Sequence, residues 1–232
     1  MGYKKKILFI ADFFANEIPG GGELCSEEVI THLSSVGYSV TAIKSKNVTI
    51  EILKQFEKES FIFVSNFTGL SEVCKAELAI FTKYLYVIIE HDHKYCESRN
   101  PMVYPNLFVP ENKLRNKEFF ENALFVLCQS KSHAQLLQKN VWNANVVNLG
   151  CNLWSDKTLK LLEDRISTIK TNKYISMKST NPIKGTLQAI DLCESRNLVC
   201  KFIEFKNQET FFDELAKSEN FIFLPQSPET YS

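Results

Sequence analysis

What the chain lacks narrows its function before any motif is read. It has no net charge: 27 Lys and Arg stand against 27 Asp and Glu, and they cancel within residues 1–150 and again within 151–232. Without a positive field, no nucleic acid and no anionic membrane surface is expected as a partner. No apolar run approaches the roughly 20 residues that a helix needs to cross a bilayer, so no transmembrane segment is expected. The start Met-Gly-Tyr-Lys-Lys-Lys leads into a short strand instead of a signal-peptide core, and Lys6 stands where a myristoylation signal wants Ser or Thr. The seven cysteines are an odd number and none forms a Cys-x-x-Cys pair; several fall inside apolar runs. That is the pattern of small buried thiols in a reducing compartment, and a cytoplasmic protein is expected.

Two nucleotide motifs are also missing. No Gly-x-x-x-x-Gly-Lys-Ser/Thr phosphate loop occurs. A dinucleotide fold would carry Gly-x-Gly-x-x-Gly after the first strand and an acidic residue after the second; here the glycines Gly20-Gly21-Gly22 are contiguous, and Lys44 and Lys46 follow the second strand. An NAD site is disfavoured.

What is present is alternation. Short apolar runs, beginning with Ile7–Ala11, alternate with longer amphipathic segments from end to end, as in a parallel sheet covered by helices. Thr49, Ser71 and Ser130 each precede a helical segment as N-caps, the second helix running to about Tyr84. Asp156–Ile169 carries Leu159, Leu162, Ile166 and Ile169 at helical spacing and reads as the link between two halves, after which the alternation restarts. The expected fold class is α/β, with one domain over residues 1–155 and a second over 156–232.

Four clusters can carry chemistry. Gly20-Gly21-Gly22-Glu23 opens the first helix; glycines there permit positive φ and close approach of a ligand, and the helix N-terminus favours an anion, although the same run also serves as a plain connector. Glu90-His91-Asp92-His93 ends a very apolar strand, where ligands bind in open parallel sheets. Its spacing His91-x-His93-x2-Cys96 also allows a metal site, hence a metal-binding hydrolase, although no fourth ligand is evident. Lys178 and Lys184 flank a polar turn before the helix at Gly185 and suit a phosphate. Glu229 follows the last strand in a proline-bounded loop, where a carboxylate can hold two sugar hydroxyls.

In this order the clusters resemble the GT-B glycosyltransferases, particularly the retaining group classed as family four. The matching residues are Gly20 to Glu23, His91-Asp92, Gln129-Ser130, Met177-Lys178-Ser179 with Lys184-Gly185, and Pro225 to Glu229. The resemblance implies two Rossmann-like domains across a cleft, and transfer of a sugar from a nucleotide-diphosphate sugar to a hydroxyl acceptor such as a glycan or a lipid-linked precursor. By it Lys178 and Lys184 neutralise the departing diphosphate in place of a metal, so no cofactor is needed. Glu229 holds the sugar, the glycine loop and Gly185 lie beside sugar and diphosphate, and His91 reaches the sugar or the incoming hydroxyl. Two departures stand out: Lys178 replaces the usual Arg, and the sequence ends three residues after Glu229, before the second glutamate of the E-x7-E motif. The second domain is therefore expected to be incomplete, which leaves a non-catalytic nucleotide- or glycan-binding module as the alternative.

Overall fold

The computed structural model describes residues 5–18, 20–57, 60–80, 83–204 and 207–227. The chain divides into two compact units, Met1–Leu153 and Trp154–Tyr231. Both are α/β with parallel sheets, as the alternation predicts.

In the first unit β1 (Lys6–Ala11), α1 (Gly21–Ser35), β2 (Ser39–Lys44), α2 (Ile50–Lys54), β3 (Phe61–Val64), α3 (Glu72–Leu78), β4 (Leu85–Glu90), α4 (Lys117–Glu121), β5 (Phe125–Cys128), α5 (Lys131–Asn140) and β6 (Val146–Asn148) follow one another. The six strands form one sheet in the order β2-β1-β3-β4-β5-β6, every neighbouring pair parallel. Strands covered on both faces need unbroken apolar runs, and Ile7 to Ala11 and Tyr86 to Ile89 are all buried. Side chains alternate between the faces. Leu8, Ile10, Ile62 and Val64 pack with Leu53 of α2, Leu78 of α3, Phe119 and Phe120 of α4 and Leu137 of α5. Phe9, Ala11 and Ile89 face the other way, toward Val29 and Ile30 of α1.

The caps hold where they were expected: Thr49 accepts from the Ile52 amide, Ser71 from Cys74 and Ser130 from His133. Helix lengths differ more. The helix after Ser71 ends at Leu78, short of Tyr84, and the irregular stretch after β4 contains three single-turn 3-10 helices, at Pro101–Val103, Pro105–Leu107 and Glu111–Lys113.

The second unit runs α6 (Asp156–Glu163), β7 (Asn172–Lys178), α7 (Thr186–Ser195), β8 (Cys200–Glu204), α8 (Gln208–Ala216) and β9 (Ser218–Ile222), with a parallel sheet ordered β8-β7-β9. The apolar face expected through Ile169 is not built. α6 stops at Glu163, Arg165 turns to bind Asp213 at 2.6 Å, and Ile166 and Ile169 are exposed. The stretch Ile166-Ser167-Thr168-Ile169, β-branched at all but Ser167, is a poor helix former, and packing supplies nothing to override it.

Candidate active site

Where a parallel sheet reverses its winding, the loops at the carboxyl ends of two neighbouring strands part and leave a crevice. In the first sheet that point lies between β1 and β3. A cavity of about 620 Å³ occupies it, walled by Asp12 and Phe13 after β1, Ser45 and Lys46 after β2, Asn66, Thr68 and Gly69 after β3, His91, Asp92 and Arg99 after β4, and Gly22 and Glu23 of α1.

Asp12 ties three of these loops together. Its carboxylate accepts from the backbone amides of Thr68 and Gly69, each at 2.8 Å, and from the Ser45 hydroxyl. Burial works to raise its pKa, but the bonds from Ser45, Gly69 and Thr68 outweigh that and hold it below the ordinary carboxylate value. Gly69 is required here, since a Cβ would stand 2.7 Å from the Ser45 hydroxyl and 3.3 Å from the Asp12 carboxylate.

The glycine run behaves differently from expectation. Gly20, Gly21 and Gly22 do not use positive φ: Gly20 is extended and caps α1, whose first residues are Gly21 and Gly22. Two of them stand against side chains, Gly20 against the movable end of Glu23 and Gly22 against the His91 ring. A Cβ on Gly20 would stand 2.3 Å from the Glu23 carboxylate and one on Gly22 would stand 3.3 Å from the His91 ring, whereas one on Gly21 would meet nothing within 4 Å. Glu23 accepts from the Asn66 amide at 3.1 Å.

His91 lies against that helix start. Its Nε2 is 3.0 Å from the Ser65 hydroxyl, which is 2.8 Å from the Ser26 hydroxyl, which donates to the Gly22 carbonyl at 2.9 Å. Burial, then the charge of Lys94 and the ring of His133, push the imidazole down to about 3, with a hydrogen bond to Gln129 opposing. The ring is neutral at physiological pH.

The neighbouring residues take separate directions. Asp92 forms ion pairs with Lys94 and Arg99. Fully buried Glu90 accepts from the Asp92 and Lys94 amides, both at 3.0 Å, and so shapes the turn. His93, buried with φ of 49°, stacks edge-on against Tyr95 and His133, and Cys96 contacts the Ser98 hydroxyl at 2.9 Å. His91, His93 and Cys96 therefore do not converge. Among the described residues no three His, Cys, Asp or Glu side chains are grouped to hold a metal.

The second unit repeats the topology on a smaller scale, with its reversal between β7 and β9. Lys178, exposed at the end of β7, pairs with Glu204 of β8 at 2.9 Å. Lys184 is half-buried and its pKa is lowered by that burial; it makes no ion pair among the described residues. Gly185 has φ of 69°, and a Cβ on it would stand 1.7 Å from the Leu224 carbonyl oxygen. The Gln226 amide donates to the Ile183 carbonyl at 2.8 Å, so the chain after β9 is bound to the lysine turn. Glu229 lies outside the described residues.

The sequence reading missed Asp12, Ser45, Lys46, Asn66, Thr68, Gly69 and Arg99. The available signal was position: Asp12 directly follows β1, and Ser65-Asn66-Phe67-Thr68-Gly69 directly follows β3.

No protein-family model and no curated protein matches the chain. Among solved structures, an alpha-glucosyltransferase in complex with UDP and a 13-mer DNA containing a HMU base matches over 97% of this chain and 73% of its own, with a TM-score of 0.59 at 12% sequence identity. An alpha-glucosyltransferase in complex with UDP-glucose and DNA containing an abasic site matches over the same shares, with a TM-score of 0.53 at 13% identity. The likeness is one of fold. It also overturns the expectation of no nucleic acid: two transferases of this fold are recorded with DNA beside the nucleotide, so cancelling charges are no ground for that exclusion. No helix among the described residues is long and apolar enough to cross a membrane.

Proposed function

We propose that the chain is a nucleotide-sugar-dependent glycosyltransferase of the retaining, family-four-like kind, moving a sugar from a nucleoside-diphosphate sugar to a hydroxyl acceptor. The observation that carries this reading is the cavity at the β1/β3 reversal, in a fold shared with glucosyltransferases that hold UDP or UDP-glucose. Carboxylates, hydroxyls and an amide stand in its wall beside Phe13, Lys46 and Arg99, and such groups can hold a hydroxyl-rich ligand. In the second unit Lys184, with no ion-pair partner among the described residues, and Lys178 supply positive charge for the departing diphosphate, and backbone at Gly185 lies beside them. Glu229 is assigned to the sugar by the resemblance alone, and the reaction needs no metal if the lysines carry the charge. The cysteines are all free, which fits a reducing compartment.

Calorimetric titration with UDP, UDP-glucose and other nucleoside-diphosphate sugars tests the donor site, with Lys184→Ala as control. The expected result is saturable heat that the substitution weakens. No heat with any donor, or heat unaltered by the substitution, refutes the assignment. A nucleic-acid acceptor is favoured over a glycan or lipid by the DNA recorded in both structural neighbours. Transfer of labelled glucose to DNA carrying an HMU base, compared with transfer to oligosaccharides, decides between them, and donor binding with no transfer to either supports the non-catalytic module.

A further inference from the structure

The hydrogen atoms along the chain from Gly22 to His91 can be counted. Ser26 Oγ is 2.9 Å from the Gly22 carbonyl oxygen, which can only accept, so the single hydroxyl hydrogen of Ser26 lies between them. Ser26 must then accept from Ser65, 2.8 Å away. Ser65, its own hydrogen so directed, must accept from His91 Nε2 at 3.0 Å. The reverse order would leave the Ser26 and Gly22 oxygens 2.9 Å apart with no hydrogen between them. Ser26 and Ser65 are both buried, which keeps water from relieving such a clash. The Nε2 position of the neutral ring therefore carries the proton.

The Nε2 of His91 is thereby engaged with protein, and the ring meets Gly22 with its Cγ–Cδ2 edge. The cavity's carboxylates differ in the same respect. Asp12 holds two backbone amides and a hydroxyl, and Asp92 holds two cations. Glu23 takes one hydrogen bond among the described residues, from Asn66.

We infer that His91 is a positioning residue, locked as the Nε2–H tautomer by Ser65 and Ser26 against the first turn of α1, and that Glu23 is the catalytic carboxylate that accepts the hydrogen bond of the ligand hydroxyl. The inference rests on the transferase reading only for the identity of that ligand. His91 props the α1 start through Gly22, and α1 presents Glu23 one residue later.

The test has a spectroscopic arm and a kinetic arm, both on the full chain. Nitrogen-15 NMR of labelled imidazoles, with His91 assigned by His91→Gln, is expected to show a neutral Nε2–H ring at pH 7. Lys94, His133 and Gln129 surround it, so the signal is expected to stay flat between pH 5 and 8. In Ser26→Ala the Ser65 hydrogen loses its acceptor and turns to Nε2, so the population moves toward Nδ1–H. A wild-type ring that is Nδ1–H or doubly protonated overturns the relay, as does a folded Ser26→Ala protein with an unchanged tautomer. In the kinetic arm, release of UDP from UDP-glucose is expected to fall at least 100-fold in kcat/KM for Glu23→Gln, with UDP affinity held within about twofold; turnover undiminished by that substitution overturns the role of Glu23. Absence of donor binding in the wild type refutes the transferase reading, while the imidazole spectra still decide the relay.

Discussion

The two units wind their sheets alike, β2-β1-β3 in the first and β8-β7-β9 in the second, yet they furnish the reversal point by opposite means. In the first, loops after four strands meet around a cavity and are joined by side chains, with Asp12 at the centre and Ser65 linking His91 to α1. In the second, the turn rests on backbone: Gly185 against the Leu224 carbonyl, and Gln226 bonded to Ile183. Of the two lysines there, Lys178 pairs with Glu204 and Lys184 makes no ion pair among the described residues. One topology thus yields two differently furnished reversal points.

The comparison breaks most readily at Gly185. A Gly185→Ala protein combines a left-handed φ with overlap on Leu224, and is expected to lose more than about 4 kcal/mol, enough to unfold the second unit. Proteolysis and denaturant melting, with one tryptophan in each unit as reporter, should show that loss in Trp154 and spare Trp142. Equal loss at both tryptophans would mean that the units fold as one.

Asp12→Ala comes next, at roughly 2–3 kcal/mol, since two backbone amides and the Ser45 hydroxyl lose their acceptor. Because the folded-state pKa of Asp12 lies below its unfolded value near 3.8, the part of its stabilisation linked to ionisation is fully present above that value. It is lost as pH falls through the folded pKa. Urea melts at pH 7 and below pH 4 should show the gap between wild type and variant narrowing only in acid; a gap already closing at pH 6 would assign the effect to another group.

The two lysines separate on a finer scale. Lys184→Ala is expected to weaken UDP binding about tenfold, or about 1.4 kcal/mol. Lys178→Ala should cost less, on the order of threefold, because Glu204 already balances its charge. Titration calorimetry at two salt concentrations distinguishes them, and a larger loss at Lys178 would reverse their roles.

Smallest is the contrast inside the glycine run. Gly21→Ala meets open space in the first turn of α1 and should be neutral or stabilising by up to about 1 kcal/mol. Gly22→Ala gains the same helical preference but presses on His91, so its thermal midpoint should fall below that of Gly21→Ala. Equal midpoints would show that the His91 ring moves aside freely.

The fold was largely legible because its signals are local. Buried parallel strands must be continuously apolar, and Ile7 to Ile10 or Val87 to Ile89 announce themselves without any partner being known. Caps such as Thr49 and Ser130 act over three residues and are equally visible. Helix ends without a strong stop, as at Leu78 and Glu163, were not, since tertiary packing sets them.

The sequence alone determined the α/β alternation, the restart after residue 156, and the presence of glycines, a histidine and two lysines at strand ends. Only the tertiary structure decided what each does. It set Gly20 and Gly22 against the Glu23 and His91 side chains, and it placed Asp12 and the Ser65–Gly69 loop around a cavity that Gly22 also lines. The reason is physical: a hydrogen bond between residues 56 or 57 positions apart, as from Asp12 to Thr68 and Gly69, leaves no local trace in composition or period. Periodicity reports which face of an element is buried, whereas a site is made by which elements the winding of the sheet brings together.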